Sequence, residues 1–239
     1  MTAPKTHLSL AENQIHLWRF NLETPPSDWQ AKGRFLLSDD ENERAAKFKR
    51  GGDDYINTRI FMRRILAQYT DTPPQALIFD RNPYGKPFLR QSDIQFNLSH
   101  SRQWAVLAVG LNCDLGIDVE STSDRRSILN IAQHYFHPNE IADLEKMSDK
   151  AEQQDYFFRL WTLKESFVKG LGTGISTGLD KMSFSFDHHQ KITANFSPDL
   201  PLKTPNAWQF FQYQLHEASV KNWCAVAVRA DFRAEVLWM

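Results

Sequence analysis

The five residues Gly116-Ile-Asp-Val-Glu120 constrain this chain more than any others. Successive side chains of an extended strand leave on opposite faces, so Ile117 and Val119 turn into an apolar layer while Asp118 and Glu120 project together the other way. Trp104 to Leu111, just ahead, is apolar at almost every position and predicts a fully buried strand. Its apolar core, Ala105 to Leu111, is the longest such run in the chain and far too short to span a bilayer. On its own an acidic pair reads as well as a solvent-facing strand edge that discourages aggregation. Beside so apolar a neighbour, and directly after Gly116, it reads as the end of an inner strand bordering a cleft.

Two carboxylates in one small volume repel unless a cation or proton lies between them, and hard oxygen ligands suit Mg²⁺ held together with substrate phosphates. Mn²⁺ suits the same oxygens. The segment Trp161-Thr-Leu-Lys-Glu-Ser-Phe-Val-Lys169 can complete such a centre. On a helix Glu165 and Lys169 are i and i+4 neighbours, placing a third carboxylate beside an ammonium. The alternative is an ordinary surface ion pair. Phe157, Phe158, Leu160, Trp161, Phe167 and Val168 surround these charges, including Lys164, with apolar bulk, which favours a pocket border. Together the two segments read as a metal-assisted phosphoryl-transfer centre. Asn97-Leu-Ser-His-Ser101 ends a strand in a polar loop where Ser99, backbone amides and a protonatable His100 can hold a phosphate.

Other features read more simply. Arg44, Lys47, Lys49 and Arg50 form a solvated helix face. Gly170, Gly172, Gly174 and Gly178 follow a helix C-terminus, the wrong end for anions, and read as a helix stop. Asp187-His188-His189 reads as a hairpin turn. Net charge is −1, which argues against a nucleic-acid binder relying on a strongly basic surface. Cys113 and Cys224 lack metal-ligand spacing and read as reduced thiols, making the cytoplasm the default location. Met1 to Leu10 has no apolar stretch like that of a signal peptide.

A strand is predicted over Ile15 to Phe20, then a helix starting at Ser38 with Glu41 as capping-box partner. After Gly51-Gly52 a second helix runs over Asp53 to Tyr69. Ala76 to Phe79 and Ile94 to Leu98 read as strands separated by the turn-rich Asn82 to Pro87, followed by the buried strand and Leu115 to Glu120. Helices are predicted over Ser127 to Tyr135, Pro138 to Met147 and Glu152 to Lys169, then strands over Lys181 to Phe186, Lys191 to Phe196, Trp208 to Leu215 and Trp223 to Val228. The second half thus repeats the grammar of the first. The expected fold class is α+β, two similar α/β halves over residues 1–112 and 113–239, the second carrying the metal site, although no sequence repeat is visible.

Tyr84-Gly-Lys-Pro87, Phe96-Asn-Leu-Ser-His-Ser101, Gly116-Ile-Asp-Val-Glu120 and Trp161 to Lys169, in this order and spacing, resemble the 4′-phosphopantetheinyl transferases of the two-domain, surfactin-synthetase-activating class. The resemblance implies a pseudo-twofold monomer that moves the phosphopantetheine arm of coenzyme A onto a serine of an apo acyl or peptidyl carrier protein, releasing adenosine 3′,5′-bisphosphate. Asp118, Glu120 and Glu165 match the acidic triad that binds Mg²⁺ with the coenzyme A pyrophosphate. Glu165 matches the general base, and Lys169 the group that stabilises or protonates the departing phosphate. Ser99 and His100 match contacts to the 3′-phosphate and adenylate end, and Lys86 and Pro87 match the loop lining the adenine pocket. Arg44 falls where a basic contact is expected, whereas Asp54 stands near a position at which the family carries an arginine. Because carrier proteins are acidic, Arg44 and Lys47, or an apolar patch near Phe167 and Leu171, are candidate docking surfaces. A phosphodiester hydrolase using the same triad and a non-catalytic coenzyme A or carrier-protein binder are the rival readings.

Overall fold

The structure is a computed structural model and describes residues 8–123, 127–174, 178–200, 202, 204–217 and 220–239. In the first sheet β1 (Gln14–Asn21), β5 (Trp104–Leu111) and β4 (Ile94–Ser101) pair antiparallel in the order β1–β5–β4. In the second, β6 (Asp114–Ser121), β10 (Val220–Arg229) and β9 (Trp208–Glu217) pair in the order β6–β10–β9. Each half therefore pairs its first strand with its last, and its last with the one before.

Between first and penultimate strands each half inserts helices and a hairpin. The first half has α1 (Asp39–Ala46), α2 (Gly52–Leu66) and the hairpin β2 (Phe79–Arg81) with β3 (Pro87–Leu89). The second has α3 (Ile128–Tyr135), α4 (Pro138–Lys146), α5 (Lys150–Leu171) and the hairpin β7 (Met182–Phe186) with β8 (Ile192–Phe196). The pseudo-twofold repeat is thus one of connectivity. A final strand, β11 (Glu235–Trp238), returns to pair in parallel with β1.

Strand alternation decides the layers. On β5, Val106 and Ala108 face the other sheet, where they meet Ile117 and Val119 of β6 and Val226 of β10. Ala105, Leu107 and Val109 point the opposite way onto Phe61, Met62 and Ile65 of α2. Ala225 and Ala227 of β10 likewise join the core built on Phe157, Leu163 and Phe167 of α5. The order is helix, sheet, sheet, helix, and β5 is covered on both faces as its composition requires.

Local signals place the helices. Ser38 Oγ accepts the Glu41 amide at 3.3 Å while the Ser38 amide donates to Glu41 Oε2 at 3.0 Å, the capping box expected at the start of α1. Gly51, at φ +78°, makes the left-handed turn between α1 and α2. Asp149 caps α5 by accepting the Ala151 and Glu152 amides, and Gly172, at φ +69°, ends it.

Four expectations change. Pro74 starts a 3₁₀ turn over Pro74–Ala76, so the strand expected at Ala76 begins only at Phe79. Pro87, the last residue of the turn-rich segment, opens a strand not expected there, β3, whose three residues pair back onto β2. Ser99, His100 and Ser101 belong to β4, not to a loop, because the ladder continues opposite Val106, Ala105 and Trp104. Phe167 is completely buried, stacked on Phe196 with Trp208 edge-on, and offers no docking surface. Cys113 and Cys224 are both buried and free of disulfides. Among the described residues no helix is long and apolar enough to cross a membrane. Residues 1–7 of the segment read for a leader lie outside the described residues.

Candidate active site

The edge strand of each sheet, β4 and β6, run side by side in the same direction and are joined by side chains. Asn97 Oδ1 accepts the Ile117 amide at 2.9 Å, Ser99 Oγ donates to Asp118 Oδ1 at 2.8 Å, and Ser101 Oγ donates to Glu120 Oε2 at 2.8 Å. The first half thereby orients the acids of the second.

Helix α5 lies directly on this strand because Gly116 has no side chain. A Cβ there would overlap the Ser166 carbonyl oxygen and the Gly170 amide nitrogen. Close approach selects which residues of α5 remain accessible. From Leu160 to Gly170 the partly exposed positions are Trp161, Glu165 and Lys169, one stripe at i, i+4 and i+8. Lys169 Nζ donates to Asp118 Oδ1 at 2.6 Å and to Ser99 Oγ at 3.0 Å. Burial pulls the Lys169 pKa down, but the charges of Asp118, Glu165 and Glu120 outweigh it and hold it above its ordinary value. The ammonium is therefore protonated at neutral pH.

Asp118 is 3 % exposed, and its Oδ2 is buried with no hydrogen-bond partner. That orphaned oxygen, together with two further carboxylates on the neighbouring surface, fits a hard divalent cation in donor chemistry. Among the described residues no three acidic, histidine or cysteine side chains converge into a ready metal cage. Mg²⁺ commonly takes only one or two carboxylates and completes its shell with water and phosphate oxygens, so the donor set suits a cation shared with a phosphate ligand.

Glu165, Lys169 and Val168 form one wall of a hollow of about 310 Å³, and Tyr84, Gly85, Lys86 and Pro87 form the opposite wall. Pro87 also lines a larger cleft of about 730 Å³ that contains Arg44, Arg59, Arg81 and Tyr55. Arg44 and Arg59 both lie over the Tyr55 ring, at 5.8 and 5.1 Å from its centroid. An acidic end and an arginine-rich end thus meet at one proline. His100 is felt by both: burial lowers its pKa, the charges of Lys169 and Arg59 lower it further, and Asp54 opposes them.

The structure gathers Asp118, Glu120, Glu165, Lys169 and Ser99 around the β6–α5 contact. It places Lys86 and Pro87 across the hollow, and Arg44 in the far cleft. The Lys86 ammonium is engaged by the protein itself, donating to the Leu115 and Gly170 carbonyls at 3.0 and 2.9 Å. Lys164 departs furthest from expectation. It does not border a pocket but is fully buried, donating to Glu140 Oε2 at 2.7 Å, Leu179 O at 2.8 Å and Met182 O at 2.6 Å. Sequence reasoning missed Asn97 and Ser101 as orienting groups and Tyr55, Arg59 and Arg81 as cleft residues. For Tyr55 and Arg59 the i, i+4 spacing on α2 was an available signal. Arg81 stands only five positions before Lys86 and carried no local pattern.

A family model described as the 4′-phosphopantetheinyl transferase superfamily matches residues 114–228, and one described as 4′-phosphopantetheinyl transferase, N-terminal, matches residues 22–112. The chain is 35% identical over 176 residues to 4′-phosphopantetheinyl transferase HetI of Nostoc sp., covering 71% of this chain and 73% of that protein. It is 34% identical over 170 residues to 4′-phosphopantetheinyl transferase Sfp of Bacillus subtilis, covering 69% and 73%. It is 35% identical over 168 residues to 4′-phosphopantetheinyl transferase gsp of Aneurinibacillus migulanus, covering 66% of each.

Proposed function

The chain belongs to the 4′-phosphopantetheinyl transferase superfamily, in its surfactin-synthetase-activating class, and from that premise we propose how its residues move the phosphopantetheine arm of coenzyme A to a serine hydroxyl of an apo acyl or peptidyl carrier protein. The observation that carries the reading is the Lys169 ammonium bridging Asp118 and Ser99 one helical turn from Glu165, on the wall of a hollow that shares Pro87 with an arginine cleft.

Coenzyme A is long and carries its phosphates in the middle and at one end. Its nucleotide end suits the cleft of Arg44, Arg59 and Arg81, and His100, on which the charges of Lys169 and Arg59 both act, is assigned to the same end. Its diphosphate suits the acidic end. Asp118, Glu120 and Glu165 would hold Mg²⁺ or Mn²⁺ there, and such a cation when bound neutralises charge on the diphosphate oxygens. Glu165 accepts the proton of the carrier serine, whose oxygen forms a bond to the β-phosphorus as the bond to the bridging oxygen breaks. Lys169, held protonated by its acidic neighbours, stabilises the charge on the departing phosphate of adenosine 3′,5′-bisphosphate or gives it a proton. Ser99 and Ser101 fix the rotamers of Asp118 and Glu120 and so keep the acids in register with α5.

Both halves come from one chain and each supplies part of the site, which supports a monomer. In this reading its partners are coenzyme A and an acyl or peptidyl carrier protein, and its place of work the cytoplasm. Exposed Arg44 and Lys47 suit an acidic carrier surface. The test is intact-protein mass spectrometry of an apo acyl carrier protein incubated with this protein, coenzyme A and Mg²⁺, with EDTA as control. A metal-dependent gain of one phosphopantetheine is expected. No gain on fatty-acid, polyketide or peptidyl carriers, with coenzyme A still bound, overturns the transfer reading.

A further inference from the structure

The loop between β2 and β3 is fastened to the opposite half, and we propose that Asn82 and Lys86 form a latch that seats this loop on the end of α5 and so sets the width of the hollow between them. Lys86 is then a positioning residue. The coenzyme A part of the proposal rests on the functional reading above.

Helix ends leave carbonyls without partners, and the C-terminal end of the macrodipole attracts cations. At the end of α5 two carbonyls find partners from another half of the molecule. Asn82 Nδ2 donates to Gly172 O at 2.7 Å, and Lys86 Nζ donates to Gly170 O at 2.9 Å. Lys86 Nζ also reaches Leu115 O on β6 at 3.0 Å, so a single ammonium ties the loop to both elements that carry the acids.

The loop is built to hold this pose. Asn82 Oδ1 accepts the amides of Tyr84 and Lys86 at 3.0 and 2.9 Å, and the Asn82 amide donates to Lys86 O at 3.0 Å. Gly172 forms the seat. Its φ is +69°, and a Cβ added there would lie 2.9 Å from Asn82 Nδ2 and 3.0 Å from Lys86 Cδ. Two of the three ammonium hydrogens are thus committed to carbonyls, although Lys86 lines the hollow together with Tyr84 and Pro87. A lysine that only neutralised a ligand phosphate would leave the loop held to α5 by the Asn82 bond without the lysine's two.

The first test needs no ligand. Hydrogen exchange of the free protein is compared for wild type, Lys86→Met, Lys86→Arg and Asn82→Ala. Faster exchange confined to 82–87 and 170–173 in Lys86→Met and Asn82→Ala, restored towards wild type by Lys86→Arg, is expected. Unchanged exchange in both, with folded protein, overturns the latch. The second test is calorimetric binding of coenzyme A across a salt series. Lys86→Met is expected to bind about tenfold more weakly with the wild-type salt slope, and its effect to be strongly non-additive with Asn82→Ala. A reduced salt slope with additive effects means that Lys86 contacts phosphate directly, which overturns the proposal. Failure of wild type itself to bind coenzyme A, with the exchange pattern intact, overturns the functional reading and leaves the latch supported.

Discussion

Asn97 gives Ile117, through its side-chain oxygen, the hydrogen bond that a partner strand would give through its backbone, accepting the amide at 2.9 Å across the junction of the two sheets. Both residues are buried, so this amide has no access to solvent as an alternative. Asn97→Leu, with the same number of side-chain heavy atoms and the same branching but without an acceptor, is expected to destabilise the protein by at least about 1–3 kcal/mol, the cost of an unsatisfied buried donor. Urea unfolding of the two proteins checks this. A midpoint unchanged within error would mean that the junction is held by apolar packing alone.

The contact of α5 with β6 depends on Gly116. Alanine there drives a methyl group into the Ser166 carbonyl and the Gly170 amide, both backbone atoms that cannot rotate away. Gly116→Ala is expected to cost at least about 1–3 kcal/mol through overpacking, and to lose turnover beyond its loss of folded protein because Lys169 is carried away from Asp118. Thermal melts together with activity per folded molecule separate the two effects. Wild-type behaviour in both would contradict the close approach.

Lys164 and Glu140 bury an ion pair that also serves as a structural hub, since Glu140 accepts the His137 amide at 3.0 Å and the Phe184 amide at 2.8 Å. Burial lowers the Lys164 pKa, with Glu140 opposing. Lys164→Met leaves a buried carboxylate without its cation and is expected to cost about 3–5 kcal/mol. Lys164→Met combined with Glu140→Gln, which removes the stranded charge and keeps an acceptor, is expected to recover part of that loss. A double-mutant cycle without coupling would show that the pair contributes no mutual stabilisation.

How much of this was legible in the sequence depended on distance along the chain. Alternation placed Asp118 and Glu120 on one face, and helical spacing placed Glu165 beside Lys169, because both periodicities act within a few residues. The capping box at Ser38 and the glycine break before α2 were legible for the same reason. Ser99 and Ser101 were not recognisable as strand residues, because their place is decided by pairing with Val106 and Trp104 across a tight turn while their polarity resembles that of a loop. Lys164 was misread because its partner, Glu140, lies on another helix, and nothing in a local window distinguishes a lysine that finds such a partner from one facing a pocket. The paired organisation of the sheets is repeated in connectivity without repeating in sequence. Many apolar choices fill the same layers, so the pattern persists after the residues diverge.

Glu165 is the residue whose loss separates chemistry from binding. Glu165→Gln keeps the shape of the side chain and removes both its basicity and its charge. Turnover is expected to fall by at least about a hundredfold, the lower range for a general base, with coenzyme A affinity changed far less. Mass spectrometry of the carrier protein and calorimetry of the coenzyme give the two numbers. Near-normal turnover would remove Glu165 from the role of base.

His100 offers a probe of the nucleotide end. Its pKa lies below the ordinary 6.5, by burial first and then by the charges of Lys169 and Arg59, against Asp54. The unfolded chain therefore takes up this proton before the folded protein does. The residue costs stability as pH falls from 6.5 through the folded value, and has no such effect above 6.5. His100→Gln is expected to flatten that part of the acid limb of a stability-against-pH curve. Adenosine 3′,5′-bisphosphate, by bringing anionic charge to the ring, is expected to move the His100 titration upward in an NMR experiment. A titration that ignores the nucleotide, while the nucleotide demonstrably binds, would place the phosphate away from His100 and leave the arginine cleft alone to receive it.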